Sequence, residues 1–250
     1  MRTIKLCLSI FFLVFICSNA QSQSNAPTHE IFDGLLKKYV SPNGKVDYKG
    51  FAKDSAQLGS YLTLLTKNPP NEKSWNKNEQ MAYWINAYNA FTIKLIVRYY
   101  PIKSIKDIGT RIQIPFVNTP WDIKFILIGK EKLDLNNIEH IKLRKQFDDA
   151  RIHMALVCAS KSCPILLNQA YDAQLLDAQL NKQTTAFLSD TYRNKVTPET
   201  PQLNMIFDWY GMDFSKNGGS VKDFVNKHSP IKIKAGAKIS FINYDWGLNE

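Results

Sequence analysis

The residues best suited to chemistry sit close together in HMALVCASKSCP, residues 153 to 164, which holds His153, Cys158 and Cys163. A thiol within reach of an imidazole can be activated as a nucleophile, and a third group can orient the base. Three chemistries are open to these residue types. A Cys158–Cys163 disulfide would close a loop of about six residues, a cross-link worth roughly 2 kcal/mol in the chain-entropy picture. A thiol hydrolase or acyl transferase would use Cys163 as nucleophile, His153 or His140 as base, Glu139 or an asparagine as orienter, and the amides of the CASKS turn as an oxyanion site. A zinc site would draw on His140, His153, Cys158 and Cys163, although the histidine spacing is not the tight one of structural zinc modules. Cys163 is the better-placed nucleophile of the two thiols. In an unbroken strand His153 and Cys158, five apart, face opposite sides, whereas Cys163 lies beyond the turn-prone ASKS and can fold back.

Two further segments carry polar residues that folding alone does not demand. In LNNIEHIKLR, His140 and Arg144 are four apart and share a helical face, while Asn136 and Glu139 have the spacing of a capping box. In AYWINAYNAF, Tyr83, Asn86 and Asn89 repeat every three residues along one side of a helix. Asparagine is a poor helix former. These amides either satisfy loop backbone packed over the helix or, with Tyr83, Arg144 and Cys158, wall a substrate pocket. No glycine-rich nucleotide motif and no serine elbow is present, so no cofactor is expected, and metal ligation is not the reading adopted.

These residues need elements to position them. Apolar spacing predicts helices over 28–40 and 51–67 and a long helix from Lys77 to about Tyr100 closed by Pro101. WDIKFILIGKEKLDLN alternates about Gly129-Lys130 as a β-hairpin does, and a helix follows over 137–147. Residues 152–157 read as a strand buried on both faces, 172–190 as a helix capped by Asp172, Val221 to Lys227 as a helix and KISFINYDW as a strand. The order implies an α+β fold: one domain over 28–250 with a long central helix, a β-hairpin and a small mixed sheet. The aromatic tail YDWGLNE is expected to be docked.

The first residues, MRTIKLCLSIFFLVFICSNAQSQS, combine basic Arg2 and Lys5, an apolar run and a small-residue cleavage site, as a signal peptide over 1–20 does, with a flexible leader over 21–27. The mature chain is then expected to be secreted or periplasmic, with no transmembrane segment. Removing two of the cations lowers the formal charge from +10 to +8. Such a balance suits anionic surfaces such as envelope polymers or phospholipid head groups. The lysines are scattered, so no nucleic-acid partner is expected and a peptide or envelope-polymer ligand fits better.

Five stretches together resemble the domain of unknown function 547: VDY (Val46 to Tyr48), MAYWINAYNAFTIKLI (Met81 to Ile96), LDLNNIEHIKLR (Leu133 to Arg144), IHMALVCASKSCP (Ile152 to Pro164) and YDWGLN (Tyr244 to Asn249). The resemblance implies one domain that runs close to residue 250, in an exported bacterial-type member, and leaves the chemistry to the residues. Two functional classes follow. One is a thiol-dependent hydrolase or acyl transferase acting on amide bonds. The other is a non-catalytic peptide- or glycan-binding module whose cysteines form a disulfide.

Overall fold

A computed structural model describes residues 26–250, so the expected signal peptide over 1–20, and the leader up to residue 25, lie outside the described residues. Helix α4, Lys77–Tyr99, is the spine. Asn76 and Glu79 close its first turn reciprocally as a capping box, and it ends at Tyr99, two residues before Pro101, where a proline would cost an intrahelical bond. Residues 80–93 are buried on every side. A helix that is buried all round must be wrapped by other elements. Helices α1 (Glu30–Tyr39), α2 (Tyr48–Lys53) and α3 (Ser55–Lys67) pack on one another, with α2 and α3 lying against α4, and Asp54 separates the latter pair where a single helix was expected.

The expected hairpin is present as strands β1 (Ile126–Ile128) and β2 (Glu131–Leu133), with Ile126 opposite Leu133. Gly129 makes the turn at φ +59°, a conformation that favours glycine. In place of one mixed sheet there is a second ladder, parallel, between β3 (Gln202–Asn204) and β4 (Ser240–Ile242). The fold is α+β. Helices α5 (Leu176–Ser189), α6 (Ile206–Trp209), α7 (Gly211–Phe214) and α8 (Val221–His228) complete it. A second apolar cluster, with Phe187, Phe207, Phe214 and Val225 at its centre, packs this half.

Two expected elements take other forms. Residues 152–157 are not a strand: Ala150–Met154 is a 3₁₀ turn capped by Asp149, and the residues after it belong to no regular element. Asn89 serves as their partner, donating from Nδ2 to the Ala155 carbonyl (2.9 Å) and accepting from the Val157 amide (3.0 Å). Asn86 does the same for Tyr171, at 2.8 and 2.9 Å. The second departure is the segment after the hairpin, where Asn137–Leu143 is a π-helix in which the Arg144 amide donates to the Glu139 carbonyl. The tail is docked. Leu248 pairs with Ser160, and the amides of Lys161 and Asn249 donate to the carbonyls of Gly247 and Ala159. No helix of the described residues is long and apolar enough to cross a membrane.

Candidate functional site

A cleft of about 540 Å³ opens where the two apolar clusters meet, lined by Cys158, Cys163, Glu139, His140, Arg144 and His153 among others. These six of the nine residues singled out from sequence come together. The other three do not. Asn86 and Asn89 are 0 and 2% exposed and spend their amides on backbone, and Tyr83 donates to the Leu65 carbonyl at 2.7 Å, with its ring meeting Trp75 and Trp84 edge to face. Asn89 pins residues 155–157, which lead into the cleft, while Asn86 and Tyr83 tie α4 to Tyr171 and to α3. A larger hollow of about 1260 Å³, which Tyr83 helps to line, contains neither sulfur.

The π-helix explains one wall. Asp134, not Asn136, caps this segment: its carboxylate accepts from the Asn137 amide at 2.6 Å, while Asn136 donates to Asp122. Glu139 is thereby released from a capping role and lies buried on the cleft wall. Widening the helix to an i→i+5 bond brings residues five apart onto one side, which aligns Glu139 with Arg144, and a single π turn inserted this way is a frequent feature of functional sites. Arg144 donates to Asp213 at 2.6 Å and to His140 Nδ1 at 2.7 Å, and its guanidinium lies over the Tyr210 ring. Because a guanidinium only donates, Nδ1 of His140 must accept. Burial lowers the pKa of His140 and the Arg144 charge lowers it further, against the raising effect of Glu139. The ring is therefore neutral with its proton on Nε2, a hydrogen-bond donor rather than a base.

His153 is buried, stacks on Tyr210 at 4.0 Å between centroids and bonds Asp213 through Nε2 at 2.8 Å, with Nδ1 facing Glu139 at 4.0 Å. Burial alone would raise the Asp213 carboxyl, but hydrogen bonds from His153 and Arg144 prevail and hold it well below the usual carboxylate range. Among the described residues neither histidine hydrogen-bonds to either sulfur, so the expected Cys163–His pair is absent. The fixed partners of both rings account for this.

The thiol floor is arranged differently from expectation. Cys158 and Cys163 are free thiols whose Sγ atoms lie 2.6 Å apart, longer than the roughly 2.05 Å of a disulfide. Cys163 is 3% exposed, accepts from the Cys158 amide and is turned onto its neighbour. Burial pushes its thiol up, and so does the Cys158 sulfur beside it. Of the two thiols that the sequence offered, Cys163 is therefore the less available. Cys158 is the less buried, and Ser160 Oγ at 3.1 Å, Tyr244 Oη at 3.3 Å and Cys163 surround its sulfur. Burial would raise this thiol as well, but the bonds from Cys163, Ser160 and Tyr244 outweigh it and bring the pKa down to about 7. Ala159, between the thiol and Ser160, sits at φ +61°. That left-handed conformation costs a non-glycine residue about 1 kcal/mol or more and persists only where surroundings impose it.

The opposite wall is aromatic and was missed from sequence. Trp209 packs on Tyr244 (4.8 Å) and Trp246 (5.7 Å), Trp121 meets Trp246, and Lys106 lies over the Trp246 ring. Ser160, Tyr244 and Trp246 fall inside the stretches that carried the resemblance. Asp213 and Tyr210 had no sequence signal at all. No group of three or more histidine, cysteine or acidic residues among the described residues is disposed to hold a metal ion.

No curated protein and no solved structure matches this chain. Residues 72–188, which span α4, the hairpin, the π-helix, Cys158 and Cys163, match the family described as Protein of unknown function, DUF547, and it is to this family that the core of the chain is similar.

Proposed function

We propose that the cleft is the active site of a thiol-dependent hydrolase or acyl transferase in which Cys158 is the nucleophile. The observation that carries this reading is the convergence of Ser160, Tyr244 and Cys163 on the Cys158 sulfur, which makes the thiolate available near pH 7 without a histidine in contact. The sulfur would attack the carbonyl carbon of an amide or ester held against the tryptophan wall. The Nε2–H of neutral His140 would polarise the carbonyl oxygen. The bond from the acyl carbon to the amine or alcohol breaks as that group takes a proton from solvent, leaving a Cys158 thioester, and water then adds its oxygen to the acyl carbon and a proton to the sulfur, releasing the acid and restoring the thiol. A peptide or envelope-polymer substrate, met outside the cytoplasm, suits a cleft of this size and polarity.

The test is acylation by a chromogenic acyl ester followed by intact-mass analysis and peptide mapping. One acyl group on Cys158, absent from Cys158→Ser and retained in Cys163→Ala, is expected. Acylation that persists in Cys158→Ser would overturn the assignment. A second reading, a peptide- or glycan-holding cleft without chemistry, is favoured by the stacked wall of Trp209, Tyr244 and Trp246. In that case no ester acylates the protein, and Cys158→Ser leaves ligand binding intact.

A further inference from the structure

Three of the four most exposed large apolar side chains of the described residues belong to one loop that borders the cleft. Met212 is 86% exposed, Ile112 77%, Phe116 69% and Val117 67%, and Ile114 adds 53%. All but Met212 belong to one loop, residues 110–118, whose Gln113, Pro115 and Phe116 line the cleft. Such concentration is unusual, because single exposed apolar residues are ordinarily scattered.

The loop is built to hold this display. Asn118 Oδ1 accepts from the Ile114 amide, Asn118 Nδ2 donates to Thr110 Oγ1 (3.0 Å) and the Ile112 carbonyl (2.7 Å), and Thr110 donates to that same carbonyl. Gln113 reaches back to the carbonyls of Lys106 and Ile108. Much of the loop's polar demand is therefore met from within while its apolar side chains face outward. Phe116 is held at φ +61°, a strained setting for an aromatic residue, with its ring 5.2 Å from that of His140. A loop that satisfies its own polar groups can enter an apolar medium cheaply, since unpaired backbone groups are what make insertion costly. Exposed Lys103 and Lys106 precede it and exposed Arg111 lies within it, on a chain whose formal charge is +10, or +8 without residues 1–20. Apolar side chains that insert and cations that meet head groups are the two components of interfacial binding.

We infer that the 110–118 loop docks this protein on an anionic lipid surface, holding the mouth of the cleft at the interface. The inference stands on the loop and not on the thiol, so its failure and that of the Cys158 reading are separate events. An internally bonded loop with exposed apolar side chains and exposed cations beside it suits a lipid surface better than the flat complementary patch that a second copy of the chain would need.

Residues 21–250, which contain the whole described fold, would be sedimented with vesicles of phosphatidylcholine alone and of equal parts phosphatidylcholine and phosphatidylglycerol. Binding to the anionic vesicles is expected, and Ile112→Asp/Val117→Asp should weaken partitioning about tenfold or more, since each side chain transfers most of its area out of water. Leu175→Asp, 57% exposed away from the loop, should bind as the parent does. Circular dichroism and the Cys158 alkylation rate should be unchanged in all three. Absence of binding to anionic vesicles, or binding that the double variant does not weaken, overturns the proposal. So does self-association without lipid that the double variant abolishes, which would make a second copy the occupant.

Discussion

Replacing Tyr244 by Phe removes one hydroxyl from the Cys158 sulfur and leaves the ring between Trp209 and Trp246, 4.8 and 4.6 Å away. A hydrogen bond to a charged group contributes about 1.5–3 kcal/mol, equivalent to about one to two pKa units. The lower end applies, because Ser160 Oγ donates to Tyr244 (3.0 Å) and would be freed to turn its proton to the sulfur (3.1 Å). The Cys158 midpoint should therefore rise from about 7 to about 8. At pH 7 the thiolate fraction falls from about a half to about a tenth, but a more basic thiolate is also more nucleophilic, so the rate at one pH drops only about twofold. The midpoint is the quantity to measure. Iodoacetamide alkylation followed by mass spectrometry from pH 5.5 to 10, on residues 21–250 in a Cys163→Ala background to leave one thiol, gives the shift directly, with the background itself, whose midpoint is higher for want of the Cys163 bond, as reference. Adding Ser160→Ala should carry the midpoint most of the way to that of an ordinary cysteine. A Tyr244→Phe midpoint equal to that of the reference would refute the argument that these hydroxyls create the thiolate.

Asn86→Ala strands the Tyr171 amide and carbonyl inside the core and should cost about 2–4 kcal/mol in urea unfolding. Asn89→Ala should cost a similar amount and also slow Cys158 alkylation, because residues 155–157 lead directly into the thiol; equal alkylation would show that the floor is held by other contacts. Asp213→Asn leaves Arg144 and His153 without their carboxylate and should destabilise by about 3 kcal/mol, the cost of breaking a largely buried ion pair. His29, against Tyr61, has its pKa lowered by burial from 6.5 to about 4. The unfolded chain takes up this proton below about pH 6.5 and the native one does not, so stability is full above that value and falls by up to about 3 kcal/mol toward pH 4. His29→Gln should flatten that stretch of the urea-derived stability curve; a wild-type curve already flat from 6.5 to 4 would count against a buried neutral ring.

What could be read from the sequence depended on whether a residue's surroundings are local. Helix α4 was legible to within a residue because its cap, its apolar run and its terminating proline are all sequence-adjacent. The hairpin was legible because Gly129 sits between two alternating runs. The segment at 152–157 was not, since a short run apolar on both faces fits a buried strand and a buried turn equally well. The partner that settles it is a side chain, Asn89, from another helix. The π-helix was invisible for a different reason: spacing arguments assume 3.6 residues per turn, which places Glu139 away from Arg144 and makes it look like a cap. Cys163 was preferred to Cys158 on strand geometry that the chain does not adopt. Of the hydroxyls beside the sulfur, Tyr244 was out of reach of any spacing argument, because it lies 86 residues further on.

That distance explains why the tail of the chain belongs to the site. The thiol loop has no strand of its own to rest on, yet it must keep Ala159 at a positive φ so that the Ser160 hydroxyl lies beside the Cys158 sulfur. Backbone bonds from the tail meet it at three successive points: Asn249 at Ala159, Gly247 at Lys161 and Asp245 at Ser162. Tyr48 then fixes Asn249 through a buried 2.7 Å bond to its side-chain oxygen, tying the tail to the helix that follows Asp47. From the other side Asn204 holds the Ser162 carbonyl and Arg193 the Cys163 carbonyl. Each clamp lies outside the loop, so the strain at Ala159 is borne by elements from the beginning, middle and end of the fold. The VDY, thiol and YDWGLN stretches are consequently one structural unit. Tyr244, which lowers the thiol, and Trp246, which walls the cleft, occupy the same tail segment that holds the loop in place. A chain that docks its last residues correctly has thereby also set the geometry of its sulfur.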